Sequence, residues 1–433
     1  MHNWLYLTIF ALSFLGITIL SLHRFKQVKT SADFSVANRS LGAPGVSWVI
    51  IGTLVGGAST IGTVQMAYES GLSAWIFTLG SGIACFFLGL LFSKALREQG
   101  TVTVSEYLGL RFGKTFQVYS SVFTSTGMFV HVVGQFLASM AILQSIFGFS
   151  VWPAIITSFL LMAMFVTIGG LSGAGLIGKF KFFMLYAMLL ISAGYALKLG
   201  NGMELLTRLP DDGNLFNLFS YGTGQGIIDL GSMIVGVIST QIYLQAIFSA
   251  KDVRAARKGA YLSAAVIPPV GILGIIIGLY LKANHPELAG NTAQALPFFL
   301  NTYFPPALAA FFSAGLLLVA LGTGAGLVLG VTTNLDVDFF GSAGKMSARR
   351  HLMRLRLLSL IVLFLSGLLV LTGLDSAILQ WSYLSMGLRG SAIFFGLCIA
   401  VFLPSWGRFA WIRALLYLLP PVFIILALIF RQA

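Results

Sequence analysis

Arg389 carries the strongest chemical signal in this 433-residue chain. It stands in YLSMGLRG, Tyr383 to Gly390, in the middle of an apolar run with no acid at matching depth. A guanidinium in such a run costs about 2.5 to 3.5 kcal/mol on membrane-insertion scales, so it must face an interior and find partners. Backbone carbonyls would serve, and so would an anionic substrate gripped by both arms of the fork. Four further polar side chains fall inside apolar runs: Gln65, Gln135, Thr240 and Gln241. Amides donate and accept together, which suits hydroxyl, carboxylate or amide solutes and equally suits interhelical hydrogen bonds. His131 is a lone histidine in another run, read as a satisfied core residue or a proton relay. Tyr68 and Glu69 end a run and are placed at the outer mouth of a site. Lys179 and Lys181 begin one, where a lysine can snorkel to water or reach inward.

Other chemistry is poorly supplied. The two cysteines, Cys85 and Cys398, lie in apolar stretches and support neither a disulfide framework nor a thiolate metal site. No phosphate-binding GxxxxGK[ST] loop is present, so nucleotide hydrolysis on this chain is not the energy source. The expectation is a protein without enzymatic activity or an organic cofactor.

These residues need elements to hold them, and the composition says which kind. With 57% hydrophobic and 9% charged residues, most of the chain cannot form a water-facing surface. The 49 glycines are scattered through apolar runs, as in packed membrane helices. A bilayer core takes about 20 apolar residues per helix. Runs of that size recur twelve times: 4–22, 45–68, 72–95, 116–147, 151–170, 175–199, 226–249, 258–282, 306–335, 352–373, 377–403 and 410–430. The first has no basic segment before it and no small-residue cleavage site after it, so it reads as a retained helix rather than a signal peptide.

Charge then orients the spans. Of the 26 basic residues, 21 fall in one set of alternate loops: Arg24, Lys26, Lys29 and Arg39 are among them, as are Lys179, Lys181, Arg349, Arg350, Arg354 and Arg356. Only Lys198, Arg208, Lys282 and Arg431 fall in the other set, which places the first set in the cytoplasm and both termini outside. The expectation is an integral protein of a bacterial inner (cell) membrane. The net charge of +13 is thereby an orientation code, and no nucleic-acid partner is expected.

Two spans carry clusters of poor helix formers. One is Gly52, Gly56, Gly57, Ala58, Ser59, Thr60, Ile61, Gly62 and Thr63; the other is Gly231, Gly236, Ser239, Thr240 and Gln241. Such glycines can be close-packing faces. They can also mark unwound backbone whose free carbonyls bind a cation or solute. Setting aside the first span, they are the first and sixth helices of a ten-helix core, matching places in two five-helix halves.

GGASTIGTVQMAYESGLSAW (Gly56 to Trp75), TVSEYLGLRFG (Thr103 to Gly113), the pair Gly169 and Gly170, and TQIYLQAIFSAKDVRAARKG (Thr240 to Gly259) together resemble the sodium/solute symporter family, in order, from about residue 30 to 403. The resemblance implies an all-α polytopic membrane protein with a LeuT-type 5+5 inverted-repeat core and one additional helix before and after it. The division is 1–44 for the extra helix and cytoplasmic loop, 45–200 for the first repeat, 201–403 for an external loop and the second repeat, and 404–433 for the last helix.

The resemblance also implies a cation site. Carried over by motif, its ligands are the carbonyls of Ala58 and Ile61 in the first core helix and that of Val319 in the eighth. Gly322 and Thr323 stand where the family usually has two hydroxyl residues, so one hydroxyl is missing. Where the family commonly has a Thr-Asp pair near the start of the fifth core helix, this chain has Ile177 and Gly178, followed by Lys179 and Lys181. Sodium wants several oxygen ligands, so these losses should weaken its site. An ammonium, from Lys181 or alternatively Lys179, is expected to stand in. The substrate set implied is Gln65, Gln135, Thr240, Gln241 and Arg389. The function implied is secondary transport that imports a small polar solute (sugar, amino acid or carboxylate) by alternating access, coupled to Na+. The alternatives are a sodium-independent or H+-coupled transporter, and a membrane sensor acting with a separate signalling partner.

Overall fold

The structure, a computed structural model, describes residues 4–23, 39–202, 204, 209, 214–340, 347–371 and 378–432. Arg24, Lys26, Lys29, Arg208 and Lys345 of the charge pattern lie outside the described residues. No β-strand is present among the described residues beyond one isolated bridge, Leu41 to Ala250.

The helices are α1 (Trp4–His23), α2 (Ala43–Leu54), α3 (Thr63–Ser70), α4 (Trp75–Phe87), α5 (Ser93–Glu98), α6 (Val104–Phe112), α7 (Lys114–Phe147), α8 (Val151–Leu199), α9 (Thr223–Ile238), α10 (Gln241–Phe248), α11 (Val253–Asn284), α12 (Ala295–Tyr303), α13 (Pro306–Asn334), α14 (Ala348–Val370), α15 (Ile378–Phe402) and α16 (Ala410–Gln432). Seven described helices are long and apolar enough to cross a bilayer singly, and α9 with α10 makes an eighth span bent by 41°. Four shorter apolar helices, Trp4–Gly16, Ala43–Leu54, Val151–Thr167 and Ala410–Ile425, fall in the remaining expected stretches. The runs expected at 151–170 and 175–199 are joined in one helix, α8, because the helical hydrogen-bond pattern continues through the glycine-rich segment between them.

Side-chain sorting follows the membrane setting. Leu12, Trp152, Leu160, Phe183, Phe364 and Trp411 point outward and exposed, as a lipid-facing surface requires. The centre is α13, whose most apolar 18-residue window is wholly buried and which packs against α7, α8 and α1. Its run of small residues, GTGAG at 322–326, lets neighbours approach closely.

Both expected breaks are present. The first core helix stops at Leu54; Val55 is extended (φ −85°, ψ 94°), and the chain resumes as one wide π turn over Ala58–Gly62 before α3. Gly56 N–H donates to Ser59 Oγ (2.8 Å) and Gly57 N–H to Gln135 Oε1 of α7 (2.9 Å), which meets the orphaned donors. A Cβ on Gly56 would lie 2.6 Å from Thr323, so only glycine lets the break touch α13. The sixth core helix stops at Ile238 and restarts at Gln241, with Thr240 extended between (φ −83°, ψ 120°).

Candidate cation and substrate sites

At the first break the last turn of α2 points its carbonyls at α13. Thr323 Oγ1 lies 3.4 Å from both the Gly52 and the Val55 carbonyl oxygens. Lys181 Nζ enters the same spot from α8, donating to Gly52 O at 2.6 Å and to Thr323 Oγ1 at 2.7 Å. The ammonium is buried, with Lys181 only 3% exposed. Its approach depends on Gly178, one turn earlier, where a Cβ would meet the Trp48 carbonyl at 2.0 Å. Lys179 is exposed on the other side of α8, so of the two lysines Lys181 is the one at the junction.

The carbonyls expected at the cation site, those of Ala58 and Ile61, lie further along the chain than the ones that meet Thr323. Both residues fall in the resumed π turn, and the Ala58 carbonyl accepts from the Thr63 hydroxyl at 3.4 Å instead of meeting Thr323. The carbonyls that unwinding frees toward α13 belong to Gly52 and Val55, six residues earlier in each case. Val319 and Gly322 are buried on α13 beside Thr323, and Gly322 brings no side-chain oxygen.

The second cluster surrounds Arg389 on α15, which is fully buried. Its Nε donates to Ser385 O (3.1 Å), Nη1 to Thr240 Oγ1 (2.9 Å), and Nη2 to Ser385 Oγ (2.7 Å) and His131 Nδ1 (3.1 Å). The Met386 sulfur is 3.2 Å from Nη2 and 3.9 Å from Thr240 Oγ1. Thr240 gives its own hydrogen to Gly236 O at 2.6 Å, so the sixth-helix break and Arg389 are tied together. The Tyr243 hydroxyl, on the first turn of α10, lies against the same guanidinium.

The three glutamines do not converge there. Gln135 holds Gly57 at the first break. Gln65 turns outward: its Nε2 donates to Thr292 Oγ1 (3.2 Å), its Oε1 accepts from Ile378 N–H (3.4 Å), and Thr292 donates to Glu69 Oε1 (2.6 Å). Tyr68 joins this seam by donating to His285 O at 2.9 Å. Beside it, the hydrogen bond from His285 holds the exposed Glu287 carboxyl below the usual carboxylate range. Gln241 turns the other way, with Oε1 accepting from Val104 N–H (2.9 Å) and Nε2 donating to Val102 O (2.9 Å) in the loop before α6.

Sequence reasoning missed the residue between those two. Thr103 caps α6, accepting from Glu106 N–H, while Glu106 Oε2 accepts from the N–H of Val102, one residue before the cap, in a variant of the capping box. Its hydroxyl donates to Asp338 Oδ1 (2.9 Å), and Asp338 also accepts from Gln117 (2.8 Å) and Ser121 (2.7 Å) of α7. The TVSEYLGLRFG motif contained the T-x-x-E signature that locates this cap. A separate cavity of about 550 Å³ lies between α9, α15 and α16, lined by Asp229, Gln225, Tyr383 and Phe423 among others. It shares no lining residue with the Lys181 or Arg389 clusters.

The family profile that matches this chain is that of the sodium:solute symporter family, over residues 34–415. The chain belongs to the sodium:solute symporter family. Within it, the chain is similar to the uncharacterized symporter YidK of Escherichia coli (strain K12), 23% identical over 366 residues, covering 76% of this chain and 62% of that protein. It is also similar to the sodium-coupled monocarboxylate transporter 2 of Bos taurus, 21% identical over 359 residues, covering 78% and 58% respectively. The chain thus spans about three fifths of the length of these curated relatives. Among solved structures, a substrate-bound, outward-open Na+-coupled sialic acid symporter superposes with a TM-score of 0.78 at 16% identity, covering 93% of this chain and 88% of that one. Mhp1, a nucleobase-cation-symport-1 family transporter in a closed conformation, gives 0.61 at 14%, covering 90% and 84%. The symporter family and these neighbours agree with the LeuT-type core described above.

Proposed function

We propose that this chain is a secondary transporter that imports a small polar organic solute by alternating access. The observation that carries this reading is the discontinuous first core helix, whose freed Gly52 and Val55 carbonyls meet Thr323 of α13 in the bundle interior. Unwound backbone at membrane depth is tolerated where it lines a binding site. The family's description names sodium as coupling ion, and this junction is where it would bind in the first reading. The orientation, with both termini outside a bacterial inner membrane, rests on the loop charges.

A second reading is favoured by Lys181. Its ammonium already occupies Gly52 O and Thr323 Oγ1, two of the oxygens that a sodium ion at this point would have to gather. With Gly322 contributing no hydroxyl, the side-chain set fits a tethered cation better than a free one. Coupling at this site then needs no sodium, and either proton movement or simple exchange replaces it.

Solute uptake by the purified full chain in proteoliposomes, under an imposed sodium, proton or potassium gradient, tests both. Stimulation by sodium alone supports the first reading. Uptake unaffected by sodium, becoming sodium-stimulated in Lys181→Met, supports the second. Binding without flux under any gradient removes both and leaves the sensor role.

A further inference from the structure

The cavity between α9, α15 and α16 differs in composition from both cation clusters. Its volume of about 550 Å³ is within the span of small-molecule sites, about 300 to 1,000 Å³. Most of its wall is apolar or aromatic, with Met66, Tyr383, Leu384, Phe395 and Phe423 among the residues that form it. Two acids, Asp229 and Glu69, belong to the same wall, and none of the described residues lining it is basic. The wall depends on a notch in α15. A Cβ on Gly387 would lie 2.0 Å from the Phe423 ring and 2.9 Å from Ser232 Oγ, so glycine there lets the α16 aromatic and α9 close together against α15.

Asp229 is the buried charge of this cavity. It is 6% exposed and is oriented by two neutral donors, the Tyr221 hydroxyl to Oδ2 and Gln225 Nε2 to Oδ1, each at 2.9 Å. An ionised carboxylate has about four acceptor sites, so these two bonds fix its direction without filling it. A carboxylate within an apolar span is costly, and such groups mark functional sites by default. Glu69, exposed on α3, adds a second negative charge and accepts from Thr292 Oγ1 at 2.6 Å. Aromatic rings attract cations through their faces. Tyr221, Tyr383, Phe395 and Phe423 all line the cavity.

We propose that this cavity binds a protonated organic amine with an apolar body, its ammonium donating to Asp229 and its body lying among Leu384, Phe395 and Phe423. An ammonium brings three donors to the one carboxylate. An anion would meet two acids and no base, and a neutral molecule would gain nothing from the buried charge. The cavity borders the lipid-facing surface, since Ile228 and Phe395 in its wall are 37% and 47% exposed. An apolar amine dissolved in the bilayer therefore reaches Asp229 without passing the Lys181 junction. The ligand is bound apart from the transported solute, and the inference holds whichever ion drives transport.

The test is binding of diphenylpropylamine to the detergent-purified full chain, with diphenylpropanol and diphenylpropanoate as the neutral and anionic forms of the same body. Affinities are read by titration calorimetry and by the rise in melting temperature, since a ligand that binds only the folded state stabilises it. The amine should bind at least about tenfold more tightly than the alcohol, the gain from one hydrogen bond to a charged group, and the carboxylate should not bind. Asp229→Asn should remove the preference for the amine and leave the affinity for the alcohol unchanged. Should that variant fail to fold, Ser391→Phe fills the cavity from α15 with Asp229 intact and should abolish amine binding. Equal affinity for amine and alcohol makes the cavity a groove for a lipid chain and overturns the proposal. Unaltered amine affinity in Asp229→Asn or Ser391→Phe, or no binding of the amine to the parent protein, overturns it as well. Solute uptake in proteoliposomes is a separate readout, so loss of the transport reading leaves the amine site standing and loss of the amine site leaves transport untouched.

Discussion

Lys181 and Arg389 are both buried cations in the interior of one helical bundle, yet their surroundings differ in kind. Lys181 ends a flexible stem, and its ammonium sits against a helix-end carbonyl and a hydroxyl, a spherical charge meeting oxygens as a metal ion would. Arg389 is a flat fork held along α15 by Ser385, with its outer edge facing side chains from α7 and the sixth-helix break. Removing the ammonium leaves the Gly52 carbonyl with only the long contact from the Thr323 hydroxyl, at 3.4 Å. Removing the guanidinium strands little, since Thr240 keeps Gly236 O and the Ser385 hydroxyl keeps Gly127 O. The first cation bridges two helices through oxygens, whereas the second sits among neutral partners with no acid in contact.

That contrast can be broken by substitution. Lys181→Met should show the largest effect, a loss of about 2 to 4 kcal/mol in folding stability, the scale of losing charged hydrogen bonds at a buried site. Sodium should then raise its melting temperature where it leaves the parent protein unmoved, and absence of that gain would mean the junction is no cation site. Gly178→Ala drives a Cβ into the Trp48 carbonyl and should cost about 1 to 3 kcal/mol by overpacking, lifting α8 and its ammonium from α2. Thr323→Val deletes one oxygen from Lys181 and should cost about 1 to 3 kcal/mol, with Thr323→Ser near parental in chemical denaturation. Arg389→Met should alter stability by no more than about 1 kcal/mol in either direction, because an uncompensated buried charge is exchanged for apolar volume. If Arg389→Met instead unfolds the protein as readily as Lys181→Met, the two cations play the same structural part and the comparison collapses. Lys179→Gln, exposed on α8, should stay within about 0.5 kcal/mol of the parent.

Much of this was legible before the structure. Twelve apolar runs are a long-range pattern that survives errors of a few residues, and the glycine and hydroxyl clusters marked both breaks. The register of the first break was not legible. Gly52 to Thr63 is poor in helix formers throughout, and Ser59 and Thr60 turn their hydroxyls back to the Gly56 carbonyl within resumed helix, so composition alone could not say which carbonyls come free. The glutamines show a second limit. Gln65, Gln135 and Gln241 look alike in sequence, but their partners are Thr292 in a distant loop, a glycine amide on another helix and the backbone of the loop before α6. Nothing in a local pattern encodes which neighbour the fold brings.

The loop before α6 has a mechanical consequence. Val102 and Val104 are gripped by Gln241, just past the sixth-helix break, while Thr103 between them is held by Asp338 beyond the end of α13. Three consecutive residues thus act as a linchpin between two helices that each border a candidate site. Rocking α10 away from α13 must either pull Thr103 off its carboxylate or peel Gln241 off the loop, so any separation of these two helices breaks one of two small, nameable sets of hydrogen bonds rather than loosening diffusely.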